Sequence, residues 1–570
     1  MLVRIGLLTE GGYPYVSGDA RLWCDRLVRG LGQHEFDVYA FSRSQAEEDE
    51  GWVPLPPQVS RVRTAPLWTP EDDGVVYGRR ARRRFTEHYA DLAVALCAAG
   101  PAPTGTRSDA GPATAETPGV PPQGDRFANA LYGLAELARE EGGLAAALRS
   151  ETAVRALEHA CRAPGAQRPA REARVPDLLT VAAHLERALR PLTLDWYEED
   201  GLGAVDLCHA ASGGTAALPG LLARHFFGVP LLVTEYGVRL RTHYLTRPDS
   251  SPAVRSLLAA FHGRLAAEIY RQAAFVTPGN THARRWQERC GADRAKLRTV
   301  YPGMDAAPFA EVGEGQESAD PHTLVWVGRV EPAKDLVSLL HAFAEIRKQE
   351  PGTRLRIIGG PAGPEGEAYL GHCRMLAAQL FPDEAEGPHA VGDNPVSFEE
   401  IGGPELPSPA DAYATGAVTV LSSVVEGFPV RLVEAMFCGR ATVSTDVGAV
   451  VEVIGGTGLV VPPRNPRALA EACVSLLRDP ERRERLGAAA RARALELFTV
   501  EQNIAAFHGL YLEIVAHTPV RRLPLDHTGA PQPFATPAEA HVPGHWTDPA
   551  PRPVPSWAAQ EQVPVTEAAR

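Results

Sequence analysis

Two carboxylates and two cations are the residues of this chain whose types and spacing best fit a chemical task. Glu426 and Glu434 bracket seven residues in Val418-Thr-Val-Leu-Ser-Ser-Val-Val-Glu-Gly-Phe-Pro-Val-Arg-Leu-Val-Glu434. The apolar run Val418 to Leu421 reads as a buried parallel strand, and Pro429 suits a first helical position, where a missing N–H costs nothing. Backbone N–H groups at Gly427 and Phe428 then point out of the turn. With the helix dipole they offer a place for phosphate or sugar oxygens. Glu434 falls about 7 to 8 Å along the helix from Pro429, so two acceptors can bracket one polyhydroxylated anion. Taken alone, the pair also fits a helix-capping Glu426 and a solvated Glu434.

The cations lie in Val325-Trp-Val-Gly-Arg-Val-Glu-Pro-Ala-Lys-Asp335, where a strand ends in Gly328-Arg329 and a helix begins near Lys334. Charge of this kind would hold a diphosphate as negative charge grows on a leaving group. The alternative is two cations solvated at a loop rim. Lysine occurs only at positions 296, 334 and 348 among abundant arginines, so a lysine at this place carries weight. Weaker signals are the glycine turn Thr9-Glu-Gly-Gly-Tyr-Pro-Tyr-Val-Ser-Gly18, which follows the first strand, and two further strand ends, one carrying His209 and the other Glu235, Tyr236 and Arg239. His209 reads equally as an acceptor-side group or a packed histidine.

These residues need strand ends facing a crevice, and the alternation of strands and helices supplies them. Strands are expected at 2–9, 36–41, 205–209, 230–234 and 275–277, then at 323–327, 354–358, 418–421, 441–444 and 459–461, with 297–300 leading into the linker. The crossovers are long enough for parallel βαβ units. The expectation is an α/β chain of two Rossmann-like doubly wound domains. The first spans residues 1–305, with an insertion at about 42–204. Within the insertion, 127–162 and 177–190 read as helices and 99–125 as a flexible loop. The second spans 306–497. A helix over 498–517 follows, and the proline-rich 518–570 reads as a disordered tail.

With 570 residues and a net charge of −13, the chain shows no basic stripe, which argues against nucleic acid. Arg79 to Arg84 reads as a solvated helix or loop face. Eight cysteines without a C-x-x-C pair suit a reducing cytosol, and neither an export signal nor an apolar run of membrane-spanning length is apparent. A cytoplasmic location is expected.

The E-x7-E segment and the Gly328-Arg329/Lys334 pair resemble the donor site of family 4 of the retaining glycosyltransferases, which have the GT-B fold. The glycine turn and Thr234-Glu-Tyr-Gly-Val238 resemble the PelF-like branch, whose N-terminal region is the DUF3492 domain. They depart from it at Asp19, where a glycine is usual, and at Tyr236, where a histidine is usual. The resemblance covers 2–41 and 205–517. It implies a nucleotide-sugar donor, most simply UDP-glucose, with Glu434 on the ribose, Glu426 on the hexose, and Arg329 and Lys334 on the diphosphate. Gly18, Gly328, Gly427 and Phe428 would complete the donor site, and His209, Glu235, Tyr236 and Arg239 would face a carbohydrate acceptor. No cofactor or metal is implied, and Tyr301-Pro-Gly-Met-Asp305 would set the cleft angle. Polysaccharide machinery at a membrane is a partner this reading allows. The rival reading is a catalytically weak GT-B subunit that binds nucleotide within such an assembly.

Overall fold

Twelve strands form two parallel sheets. In the computed structural model, which describes residues 2–16, 21–70, 73–98, 122–246, 250–314, 319–382, 394–404 and 406–520, the first sheet contains β1 (Arg4–Glu10), β2 (Glu35–Ser42), β3 (Val59–Pro66), β4 (Leu207–Ala210), β5 (Leu231–Glu235) and β6 (Phe275–Pro278). The second contains β7 (Asp320–Val327), β8 (Arg354–Ile358), β9 (Val396–Glu399), β10 (Gly416–Leu421), β11 (Ala441–Thr445) and β12 (Leu459–Val461). The orders are β3-β2-β1-β4-β5-β6 and β12-β11-β10-β7-β8-β9. Numbered within its own sheet, each is the doubly wound order 3-2-1-4-5-6. Strand direction of crossover reverses between β1 and β4 and again between β7 and β10, and the loops diverge there to leave a crevice.

The central strands are apolar on both faces because helices cover both. All six residues of β10 are buried, as are the five inner residues of β1. Register places Leu7 beside Val38 and His209, and Val418 beside Ala441 and Leu324.

Two strands escaped sequence reading. β3, Val-Ser-Arg-Val-Arg-Thr-Ala-Pro, is an edge strand with polar residues along it, and β9, four residues long, is the equivalent edge strand of the other sheet. Neither has the apolar run that marks a central strand. Residues 297–300 form no strand but run beside β6 through the isolated bridge Val276–Leu297 and through Arg298 N and Val300 N, which donate to Val276 O and Pro278 O at 3.0 Å each. In the insertion, the helix Arg79–Cys97 buries Phe85, Tyr89, Leu92 and Leu96 and opens with the arginine cluster on its outer side. The stretch 127–162 is not continuous helix. It breaks at Gly142 and Gly143, whose φ values of +67° and +65° suit glycine, and resumes as Leu144–Leu148 and Glu151–Arg162. Helix Val175–Leu189 closes this bundle against helix Pro252–Gln272. Of the loop read as flexible, 99–125, residues 99–121 lie outside the described residues and 123–125 instead open the helix Gln123–Glu141; residues 521–570 of the tail also lie outside them.

The helix Val500–His517 packs on the first sheet, where Phe507, Leu510, Tyr511 and Ile514 join Ile5, Leu7 and Leu232 in one core. Its start is pinned by Met304, whose N–H donates to Phe498 O at 2.8 Å and whose carbonyl accepts from Val500 N at 3.1 Å. A Cβ on Gly303 would fall 2.9 Å from Val500 Cα, so this close crossing needs glycine. No helix among the described residues is long and apolar enough to cross a membrane.

Candidate functional site

The switch point of the second sheet holds a cavity of about 330 Å³. Gly328, Arg329, Lys334, Glu426, Phe428, Arg431 and Glu434 line it, so two sequence segments about ninety residues apart converge as their motifs predict. Backbone and hydroxyl contacts clamp the segments together. Val424 N donates to Ala333 O at 2.9 Å, and Ser422 Oγ donates to Lys334 O at 2.7 Å.

Lys334 leaves a 3-10 turn whose last residue is itself, and Asp335 follows in a left-handed conformation (φ +47°), where its carboxylate caps helix Leu336–Gln349 by accepting from Ser338 N. The ammonium is thereby aimed at Glu426: Nζ lies 2.7 Å from Oε2. Ser423 Oγ donates to the same oxygen at 3.0 Å, and Glu331 stands 3.9 Å from Nζ on the other side. Arg329 is exposed at the rim, and no ion pair holds it among the described residues.

The helix bearing Glu434 runs Val430–Phe437, so Pro429 is its N-cap rather than its first residue. Glu434 is buried to 8% exposure and accepts two hydrogen bonds from Arg431 Nη1, at 3.0 and 2.8 Å, and one from the Tyr413 hydroxyl at 2.8 Å. Neither Arg431 nor Tyr413 emerged from sequence reading. Arg431 was discoverable, because it stands three residues before Glu434 on one helix face. Tyr413 comes from the separate helix Pro409–Ala414 and leaves no local signal. The carboxylate keeps lone pairs for a diol.

Two glycines let the backbone close round the cavity. A Cβ on Gly359 (φ +146°) would lie 1.8 Å from Gly328 O, and one on Gly448 (φ +58°) would lie 2.4 Å from Glu426 O. Gly427 sits in this turn, and its carbonyl accepts from Ala449 N at 3.1 Å. The Phe428 ring packs edge-on against Phe498 at 5.7 Å. Gly18, like Asp19, lies outside the described residues.

The acceptor-side candidates do not converge. His209 is wholly buried beneath helix Val500–His517, with its ring nitrogens 2.7 Å from Tyr511 OH and 2.7 Å from Thr234 Oγ1. Burial pushes its imidazole down to about 3. It is a packed core histidine and offers no nitrogen to either crevice. Glu235 is also buried, where it accepts from Arg239 N at 3.1 Å and from the Tyr270 hydroxyl; burial pushes its carboxyl up. Tyr236 lies against helix Val500–His517, with its hydroxyl accepting from Asn503 Nδ2 at 3.3 Å and its ring edge-on to Trp23 at 5.5 Å. Only Arg239 reaches a cavity, the one at the first sheet's switch point, where Nη2 lies 2.6 Å from Glu10 Oε2. Two residues on, Arg241 Nη2 donates to Glu426 O at 3.4 Å and joins the two halves.

Comparison with known proteins agrees with this architecture. Residues 3–295 match the family model "Domain of unknown function (DUF3492)", which runs through the whole insertion, and 321–479 match "Glycosyl transferases group 1". The D-inositol 3-phosphate glycosyltransferase of Kineococcus radiotolerans is 32% identical over 39% of this chain and 54% of its own length. The enzyme of that name from Kribbella flavida is 30% identical over 50% of this chain and 68% of its own. The chain thus spans about half to two thirds of these curated relatives. Sucrose-phosphate synthase from Thermosynechococcus elongatus superposes with a TM-score of 0.51 over 90% of this chain and 100% of that one, at 18% identity, which shows a shared fold. Two doubly wound sheets in the GT-B arrangement, a DUF3492 region and a group 1 domain carrying the convergent motifs place this chain in the DUF3492 family and among the GT4-type glycosyltransferases.

Proposed function

We propose that the protein is a retaining hexosyltransferase that moves glucose from UDP-glucose to a carbohydrate acceptor bound by the N-terminal half, in the cytoplasm and in the service of polysaccharide synthesis. The observation that carries this reading is the gathering of Arg329, Lys334, Glu426 and Glu434 on one cavity at a topological switch point, the usual place for a ligand in such sheets. The acidic pair supplies acceptors for hydroxyl groups, and the cations supply charge for a diphosphate. The names of the curated relatives support glycosyl transfer, and the motif resemblance to family 4 of the retaining glycosyltransferases supports the sugar and the stereochemistry.

In the proposed reaction the ribose diol donates to Glu434, which Arg431 and Tyr413 hold in place. The hexose hydroxyls donate to Glu426, whose other interaction orients Lys334. As the bond from the anomeric carbon to the diphosphate oxygen breaks, Arg329 and Lys334 stabilise the charge left on that oxygen. The acceptor oxygen attacks from the same face and its proton passes to the departing diphosphate, so configuration is kept without a protein nucleophile. Side-chain cations at the diphosphate perform the charge stabilisation that a metal performs elsewhere, and the proposal requires none.

A panel of nucleotide sugars tests this, read by calorimetry and by release of free nucleotide, with Glu434→Ala as control. Binding and turnover of one donor, both lost in the variant, is the expected result. Binding without turnover across an acceptor library would favour the nucleotide-binding assembly subunit instead, and no binding would overturn both.

A further inference from the structure

The first sheet has its own switch-point crevice, a cavity of about 300 Å³. That is near the lower end of the roughly 300–1,000 Å³ usual for small-molecule sites. Three guanidinium groups line it, from Arg43, Arg187 and Arg239, against one carboxylate, Glu10. Glu10 is already engaged twice, at 2.6 Å from Arg239 Nη2 and 3.5 Å from Arg43 Nε. The other nearby carboxyls do not cancel the remaining charge. Glu235 lies behind Arg239 and accepts from Arg239 N and the Tyr270 hydroxyl, and Glu47 accepts from Arg43 N at 2.6 Å; neither lines the cavity, so inside it the guanidinium groups meet no carboxylate besides Glu10 among the described residues. His184, His243 and His262 add polar groups to the same wall.

The backbone makes room for these arginines. A Cβ on Gly11 (φ +61°) would come within 2.5 Å of the Arg43 side chain, while Gly214 beside Arg239 is required by its φ of +85° rather than by space. Arg187 arrives from the insertion helix Val175–Leu189 and donates to Arg43 O at 3.4 Å. Leu258 and Phe261, from helix Pro252–Gln272, give the crevice an apolar side of the kind on which a sugar ring can lie. Helix Arg239–Thr246 connects this crevice to the other, because Arg239 lines it while Arg241 touches the Glu426 turn.

We propose that this crevice binds an oxyanion, a phosphate or a carboxylate, carried by the acceptor sugar, and that Arg187 gives the insertion a direct part in acceptor choice. That the bound molecule is an acceptor rests on the glycosyltransferase reading; that the crevice selects oxyanions does not. Guanidinium forks match both groups with paired charge-assisted hydrogen bonds, and a neutral sugar would leave the surplus charge unanswered.

The test is calorimetry on the full chain with inorganic phosphate, glucuronate and glucose as probes, and UDP as the probe of the second crevice. Phosphate or glucuronate should bind the wild type, and Arg187→Gln and Arg43→Gln should each weaken that binding about tenfold, a loss of about 1.4 kcal/mol, while leaving UDP affinity unchanged. Arg329→Gln should do the reverse. Preference for phosphate over glucuronate would assign a phosphorylated acceptor, and the opposite preference an acidic sugar. Anion binding that survives both crevice variants, or is lost only in Arg329→Gln, would overturn the proposal, as would glucose binding as tightly as glucuronate. Failure of UDP to bind while Arg187-dependent anion binding persists would overturn the proposed donor and leave the oxyanion crevice standing.

Discussion

The two switch-point crevices share a strand order and differ in almost everything laid upon it. The second is nearly balanced in charge, with Arg329, Lys334 and Arg431 against Glu426 and Glu434, and its walls come from two short segments of one domain. The first sets three arginines against one glutamate, and its walls come from strand ends, from the insertion and from helix Pro252–Gln272. A balanced site suits a ligand that brings both hydroxyl donors and an anionic diphosphate. A cationic one suits a ligand whose charge is all of one sign. Equal topology therefore dictates where ligands bind, while the residues grafted on it decide which ligands those are.

The largest effect that would sharpen this contrast is expected from Lys334→Ala. It removes a cation from the proposed diphosphate position and leaves Glu426 without its 2.7 Å partner, so turnover should fall about 10²- to 10³-fold. Phosphate binding at the first crevice should be unchanged in calorimetry, and a joint loss would break the separation of the two. A pair of glycine variants compares the backbones. Gly359→Ala drives a methyl to 1.8 Å from a backbone oxygen and should cost about 2 to 3 kcal/mol in urea unfolding, with weakened UDP binding. Gly11→Ala meets only the flexible end of Arg43 and should cost about 1 kcal/mol. Equal costs would show that both crevices are equally rigid.

His209 tests what lies beneath the first crevice. Its imidazole, held down to about 3 by burial against an ordinary 6.5, stays neutral in the fold while the unfolded chain takes up a proton. Its contribution to stability is therefore complete above pH 6.5 and declines as pH falls toward 3. His209→Gln should cost about 1 to 3 kcal/mol at neutral pH and flatten the drop in urea midpoint between pH 7 and 5; an unaltered drop would count against a neutral buried ring. Smallest of all, Tyr413→Phe removes one hydrogen bond to Glu434 and should cost about 1 kcal/mol. It should raise the donor KM several-fold and leave kcat nearly intact, and a kcat loss larger than the KM change would give Tyr413 a part in the chemistry.

The contrast also explains what could be read in advance. The second crevice was legible because a strand end, a turn and a helix start carry its charged groups within residues 326–334 and 421–434, so local spacing encodes geometry. The first crevice draws on Glu10 in β1, Arg43 in the loop after β2, Arg187 in helix Val175–Leu189 and Arg239 in helix Arg239–Thr246. Arg187 looks like any solvated arginine on a helix until the insertion folds back over the sheet. The choice between the two readings of His209 was undecidable for a related reason. A histidine at a strand end looks like a site residue, but helix Val500–His517 covers this one and satisfies it through Tyr511. The edge strands β3 and β9 were missed because an edge needs less apolar sequence than a centre.

By itself the sequence determined the doubly wound class, the central strands and the two segments that converge on the second crevice, because apolar periodicity and strand-end residue types depend on near neighbours along the chain. Tertiary structure alone decided that Glu434 is held by Tyr413, that Lys334 is paired with Glu426, that His209 is core, and that three arginines from distant elements share one cavity. Those outcomes depend on which faces meet when helices and sheets pack, and such meetings have no local imprint in the order of residues.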